Sequence, residues 1–274
     1  MMENKKKEII SSYLKETIKY LEEQYGKNSK EIISLKNQYY YSEEEQNIRE
    51  DEHDKHYEAN ASIIFKDKIL KNIERLYRRT LVIEITNICA ARCRWCLRAN
   101  YEPIIMKNED FDLIAEYCGA EENKDDLKEV LITGGDPLML PDKLGYLIES
   151  ILQKAANIKI IRIGSRVIFQ DPKRIDSKLL NILRPRNNIK FEIGTQVNSY
   201  LEITKDAEEA IKRLISNNIT IYNQSVLLKN VNDNLDFLIE LYDRLRYLNI
   251  ESHYLFHCVP IKGMYHHRTS VEKG

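Results

Sequence analysis

The stretch Glu84-Ile-Thr-Asn-Ile-Cys-Ala-Ala-Arg-Cys-Arg-Trp-Cys-Leu-Arg98 places Cys89, Cys93 and Cys96 at the spacing Cys-x3-Cys-x2-Cys. It follows a short apolar run, Leu81 to Ile85, whose length and β-branched content predict a buried strand. The cysteines therefore belong to the loop at a strand's end. Thiolates are soft ligands that suit iron–sulfur clusters or zinc. Most clusters take four cysteines. Three on one short loop would hold three irons of a cubane and leave the fourth iron open to a ligand that does chemistry. A structural zinc site instead wants four closed ligands, usually in short-spaced pairs. Neither Cys118 nor Cys258 has a cysteine neighbour in the sequence, and no His-x3–5-His pair lies near the loop.

Length and composition set the frame. The chain has 274 residues, enough for one large domain with an extension, and 43% of them are hydrophobic, enough to bury a sizeable core. A formal net charge of −1 gives no reason to expect nucleic acid or an anionic membrane as partner. No apolar run approaches the ~20 residues of a membrane span. Residues Met1 to Lys7 are lysine-rich and lack the apolar centre of a signal peptide. Five cysteines, an odd number with three crowded together, argue against a disulfide framework and for a reducing, cytoplasmic compartment.

Residues 1–75 read as a helical N-terminal extension, and 76–274 as the core domain. Ile9, Ile10, Tyr13, Leu14, Ile18 and Leu21 share one face at helical spacing, and Asn28 to Asn37 repeats the pattern more weakly. Gln38 to Gln46 and Glu50 to His56 are polar and read as irregular; His53 and His56 there fit a solvated surface better than a metal site. Ile63 to Tyr77 predicts another helix. From Leu81 onward strand and helix signals alternate. Strands are predicted at Leu81–Thr86, Glu129–Thr133, Ile158–Ser165, Ile189–Thr195, Ile219–Leu228 and Glu251–Phe256. Helices are predicted near Asn108–Cys118, Pro141–Ala155, Asp176–Leu183, Thr204–Asn217 and Asn234–Leu248, with Thr204 and Asn234 as N-caps. Strands linked by crossover helices mean a parallel sheet. Pattern alone allows a doubly wound sheet. Polar and glycine-rich residues, however, gather at strand C-terminal ends: Thr133-Gly-Gly-Asp136, Gly164-Ser-Arg166, Gly194-Thr-Gln196 and Asn223-Gln-Ser225. A barrel of the triosephosphate isomerase kind, whole or partial, builds its site there. Glycines at 134 and 135 let backbone come close to a ligand.

Several blocks, taken in order, are similar to the lysine 2,3-aminomutase family of radical S-adenosylmethionine (SAM) enzymes. They are the cysteine loop, Val130-Leu-Ile-Thr-Gly-Gly-Asp-Pro-Leu138, Ile161-Arg-Ile-Gly-Ser-Arg-Val167, Glu202-Ile-Thr204, Asn223 to Asp233, His253-Tyr-Leu-Phe-His-Cys258, Gly263 and His267-Arg-Thr269. The resemblance runs from about Leu81 to the last residue. It implies a partial (β/α)6 barrel, an α/β fold with a 4Fe–4S cluster and SAM at its mouth. It implies cluster ligation by Cys89, Cys93 and Cys96, a SAM cradle from Gly134, Gly135 and Asp136, and further SAM contacts from Ser165, Gln196 and Gln224. Arg98 matches an arginine that holds the substrate carboxylate, a role its planar fork suits. Arg78 and Arg79 lie near the family's phosphate-binding arginines.

The family implies a reaction as well. One electron, from a donor such as flavodoxin or ferredoxin, splits SAM to a 5′-deoxyadenosyl radical. The radical abstracts hydrogen from an amino-acid substrate held by pyridoxal phosphate, and the amino group migrates. The chain departs from the family in two places. The lysine enzymes have an aspartate for the substrate ammonium where Val259 stands here, followed by Pro260. The lysine that carries pyridoxal phosphate lies in a glycine-rich segment beyond the sixth unit, and this chain stops at Gly274, so the C-terminal part of the family is expected to be missing. The substrate is therefore expected not to be lysine. An epimerase or dehydrogenase that uses no pyridoxal phosphate, and an inactive cluster-binding relative, are the alternatives. A homo-oligomer is left open.

Overall fold

Ser11 and Ser29 each turn a hydroxyl onto the third backbone N–H ahead of it, and each starts a helix: α1 (Ser12–Tyr25) and α2 (Lys30–Asn37). The structure, a computed structural model, describes residues 8–55, 63–75, 77–98, 100, 103–186 and 188–274. Leu14 and Ile18 of α1, Leu35 of α2 and Tyr39 close into a buried cluster with Ala91 and Leu201. The two helices thus pack directly on the cysteine loop. The segment behind them, read as irregular, holds one 3-10 turn, Glu43–Gln46, and then pairs through His53 with Ile261 near the other end of the chain. The His53 side chain is exposed; His56 lies outside the described residues.

The helix expected over 63–77 does not form among its described residues. In its place β1 (Ile64–Phe65) and β2 (Lys68–Ile69) make a hairpin, and β3 (Ile73–Glu74) runs antiparallel to the next strand. Lys66 and Asp67, the two turn residues, both have positive φ (51° and 59°), and Asn72 follows at 53°. Two such residues in a row match the right-handed twist of a tight hairpin and break a helix.

Thereafter the strands and helices fall within a few residues of expectation: β4 (Thr80–Thr86), α3 (Asn108–Gly119), β5 (Glu129–Gly134), α4 (Pro141–Lys154), β6 (Ile160–Gly164), α5 (Val167–Gln170), α6 (Ser177–Ile182), β7 (Lys190–Thr195), α7 (Lys205–Ser216), β8 (Thr220–Leu227), α8 (Leu235–Tyr247) and β9 (Glu251–His257). The short α5 had no sequence signal. The strands from β4 to β9 pair in parallel and in sequence order, with β3 on the edge. A doubly wound sheet would reverse its order; this one winds in a single direction, as a barrel does.

Side chains alternate across each strand. On one face Leu81, Ile83, Val130, Ile132, Ile161, Ile163, Phe191 and Ile193 are buried against the helices. The other face, the concave one, is polar: Glu84, Thr133, Arg162, Glu192, Tyr222 and Gln224 line it. Arg162 pairs with Glu192 (3.1 Å) and Glu129 (3.4 Å), and Lys190 also reaches Glu192 (2.8 Å). Burial would raise Glu192, but hydrogen bonds from Lys190 and Arg162 outweigh it and hold the carboxyl low. Such an interior is built to hold something polar. β9 is largely exposed, with Tyr254 at 53%, Leu255 at 41% and Phe256 at 43%.

Two glycines fix where the cysteine loop leaves the sheet. A Cβ on Gly134, whose φ is +114°, would lie 2.4 Å from the Thr86 carbonyl oxygen. A Cβ on Gly135 would meet the Ile88 carbonyl oxygen at 2.5 Å. The backbone these glycines admit is that of the cysteine loop, and Asp136 donates its N–H to the Ile88 carbonyl (2.7 Å). Gly135→Ala should therefore destabilise the fold by about 1–3 kcal/mol. Gly145→Ala is the control. Its new methyl would sit in open contact with Ile182 at 3.5 Å on a helix, and should stabilise by about 0.5–1 kcal/mol. Urea unfolding of both variants checks the pair; equal midpoints would mean that the loop does not need the glycine.

Candidate radical SAM site

The cysteine loop, residues 87–98, sits at the C-terminal end of β4 and is supported from two sides. The sheet supplies the Gly134-Gly135 turn. The N-terminal segment supplies backbone and charge: Arg92 N–H donates to the Ile9 carbonyl (2.7 Å) and Arg94 N–H to the Gln38 carbonyl (2.9 Å). The Arg94 side chain, fully buried, forms a two-point pair with Glu45, with Nε at 2.7 Å. Ala91 N–H is met by the Gln170 side chain (3.2 Å). Trp95, between the last two cysteines, fills an apolar cluster with Val226, Leu228, Val231, Cys258, Ile261 and Met264, and Cys93 and Val259 pack against it.

Cys89, Cys93 and Cys96 are all reduced and partly buried. Burial pushes the Cys89 thiol up, and the charges of Asp136, Cys96 and Cys93 act in the same direction. Burial also raises Cys93, against the neighbouring Arg166 guanidinium, which lowers it. All three thiols thus sit in a partly buried setting. Metal binding would have to release their protons. Among the described residues no three His, Cys, Asp or Glu side chains converge as ligands of one ion would. A cubane does not ask for that, because it offers each thiolate a separate iron. Cys118, on α3, is buried in the main core. The donor set therefore fits a cluster with one open iron better than a closed zinc site.

The other expected residues gather at the same mouth, in differing roles. Asp136 is buried, and its carboxylate accepts from Leu138 N–H (3.1 Å), Ser165 Oγ (2.9 Å), Arg166 N–H (2.8 Å) and Val167 N–H (3.0 Å). Burial pushes this carboxyl up while the donors act to hold it ionised. Asp136 and Ser165 thus bind one another and lock the β5 and β6 turns together. Gln224 faces the concave side: its Oε1 lies 3.9 Å from where a Gly194 Cβ would be. Its neighbours Asn223 and Ser225 point the other way and tie down Val197. Gln196 follows β7 and is partly buried. Arg98 is paired with Glu84 on the concave face. Burial alone would lower the Arg98 pKa; Glu84 reverses that, so the guanidinium stays charged.

Arg78 and Arg79 precede β4, whose seven residues separate them from the cysteines by about 20 Å. Arg78 pairs there with Asp126 (2.6 Å). His257, the last residue of β9 and two before Val259, contacts the Thr269 hydroxyl (3.4 Å). Arg166, Glu202, Gln38 and Tyr39 were missed as site residues. Arg166 Nη1 reaches Cys93 Sγ (2.6 Å), and Nη2 reaches Glu202 (2.6 Å). Arg166 stood in the polar Gly164-Ser-Arg166 cluster at a strand end, and Ser199-x-x-Glu202 is a capping-box pattern, which the structure forms.

No helix among the described residues is long and apolar enough to cross a membrane. The sequence profile of the Radical SAM superfamily matches residues 83–242. L-lysine 2,3-aminomutase of Methanococcus maripaludis is 34% identical over 209 residues, covering 76% of this chain and 48% of that protein. Glutamate 2,3-aminomutase of Clostridioides difficile is 31% identical, covering 74% and 47%. L-lysine 2,3-aminomutase of Clostridium subterminale is 30% identical, covering 76% and 50%. The chain spans about half the length of the curated relatives it matches. Its fold is like that in the crystal structure of a radical SAM methyltransferase from Sphaerobacter thermophilus, with TM-score 0.54 at 18% identity, covering 73% of this chain and 62% of that one. The profile match begins inside β4, passes through the cysteine loop and ends within α8, and the chain belongs to the radical SAM superfamily.

Proposed function

We propose that this chain cleaves SAM and abstracts hydrogen from an amino acid, as the SAM-cleaving part of an aminomutase-like enzyme. The observation that carries the reading is the cysteine loop, which sets Cys89, Cys93 and Cys96, all partly buried, beyond the C-terminal end of β4 at the mouth of a polar barrel. In this reading Cys89, Cys93 and Cys96 hold a 4Fe–4S cluster. When bound, the cluster would supply the one electron, drawn from a donor of the flavodoxin or ferredoxin class, that reductive cleavage of SAM to a hydrogen-abstracting radical requires. The chain's own residues bind, orient and exclude water. Gly134 and Gly135 bring the loop and the β5 turn together, Asp136 and Ser165 fix the shape of the cradle, and Gln196 and Gln224 offer amide groups to the ligand.

Arg98, held by Glu84, is the cation aimed at the substrate carboxylate. Pyridoxal phosphate would be a second cofactor for the substrate amino group, and no lysine of this chain is assigned to it. The relatives act by name on lysine and on glutamate, so side-chain choice must come from the chain itself. Val259 packs against an apolar cluster. A lysine ammonium brought there without a partner would cost several kcal/mol, in order of magnitude. An apolar or neutral polar side chain fits.

Two outcomes are expected. Anaerobically reconstituted protein should absorb broadly in the visible and, once reduced, convert SAM to 5′-deoxyadenosine. Cys89→Ala, Cys93→Ala and Cys96→Ala should each lose both, and Cys118→Ala neither. A triple variant binding as much iron as the parent would contradict the ligand assignment. In competition for label from SAM deuterated at the 5′ position, neutral amino acids should exceed lysine, and Val259→Asp should shift the preference toward lysine. Faster capture by lysine in the parent would defeat the pocket argument.

A further inference from the structure

Arg166 is a fully charged side chain, 8% exposed, set against a cluster cysteine. Its guanidinium reaches Cys93 Sγ through Nη1 and three oxygens through Nη2: Glu202 Oε1 (2.6 Å), Tyr39 OH (3.0 Å) and Gln38 Oε1 (3.4 Å). The Trp95 ring lies 5.0 Å from it and the Tyr39 ring 5.5 Å, so it cannot swing away. Glu202, 1% exposed, also accepts from Tyr39 OH, from Gln38 Nε2 (3.3 Å) and from the Asn198 and Ser199 N–H groups (3.1 Å each). A buried ion pair is costly unless its remaining hydrogen bonds are made; here both terminal nitrogens of Arg166 and both oxygens of Glu202 are met, and only Arg166 Nε is left without a partner. Gln38 and Tyr39 belong to the N-terminal segment, which the sequence assigned no chemistry.

We propose that Arg166, held by Glu202, Gln38 and Tyr39, is a positioning residue that raises the reduction potential of the cluster on Cys93. The inference rests on the ligand assignment proposed above. Reduction by an external one-electron donor adds one negative charge to the cluster. A guanidinium donating to a ligating sulfur stabilises that added charge, and hydrogen bonds to cluster sulfurs are a recognised lever on potential. Glu202 partly offsets the cation and sets how much of its charge the sulfur feels. The N-terminal segment thereby reaches the electron-accepting centre through two side chains.

The test is an electron paramagnetic resonance redox titration of the reconstituted cluster, with iron content and circular dichroism measured on every sample. Arg166→Gln should move the midpoint to a more negative potential. Glu202→Gln should move it to a more positive one, since the cation loses its counter-charge. Opposite shifts at parental iron content are the expected result; a purely structural role would not separate them by sign. Parental midpoints in both variants, or shifts of one sign, overturn the proposal. If Arg166→Gln does not keep the parental circular dichroism, Glu202→Gln decides alone, and an unchanged or more negative midpoint overturns it. A parent protein that takes up no cluster overturns instead the ligand assignment beneath it.

Discussion

The hydrogen bond from Asp136 N–H to the Ile88 carbonyl joins the end of β5 to the start of the cysteine loop. It forms only because neither Gly134 nor Gly135 carries a Cβ. The loop's path is set at that point, before any cysteine is reached. The Asp136 carboxylate then carries the constraint onward, since it caps the short α5 and grips Ser165 and Arg166. Arg166 in turn touches Cys93. One turn thus fixes the loop's backbone and, through a chain of buried polar contacts, one of its sulfurs.

The second support comes from outside the sheet. The Ile9 and Gln38 carbonyls and the Glu45 carboxylate hold Arg92 and Arg94 between the cysteines. Buried arginines are tolerated only when paired, so Arg94 commits the N-terminal segment to this position. The same segment continues to His53 and Glu52, which bind Pro260, Lys262 and Met264 after β9. It therefore ties the first strand's loop to the segment that follows the last strand. A long loop with no helix or strand of its own among its described residues gains order from such an outside strut.

Much of this was legible. The short apolar runs of Leu81–Ile85 and Val130–Ile132 and the helical runs between them mark the α/β winding, and glycine at strand ends marks the mouth. What the sequence hid was long-range or chirality-dependent. Lys66-Asp67 carries no glycine or asparagine to announce positive φ, so a hairpin looked like a helix. Tyr39 lies 163 residues from Glu202 along the chain, and nothing local in Gln38-Tyr-Tyr-Tyr41 distinguishes a buried hydroxyl from a surface one. Asp136 was legible as part of a ligand cradle, yet its carboxylate proves to be spent on protein donors. Arg78 and Arg79, which the resemblance places near phosphate-binding arginines, lie before β4, at its end away from the cysteine loop.

The central claim is that the three thiols hold a cluster whose fourth iron is open. The most direct measurement is the electron paramagnetic resonance spectrum of the reduced, reconstituted protein before and after SAM is added. A spectrum whose g-values shift on addition of SAM, with no gain or loss of total iron, is the predicted result. A cluster signal indifferent to saturating SAM would contradict the account.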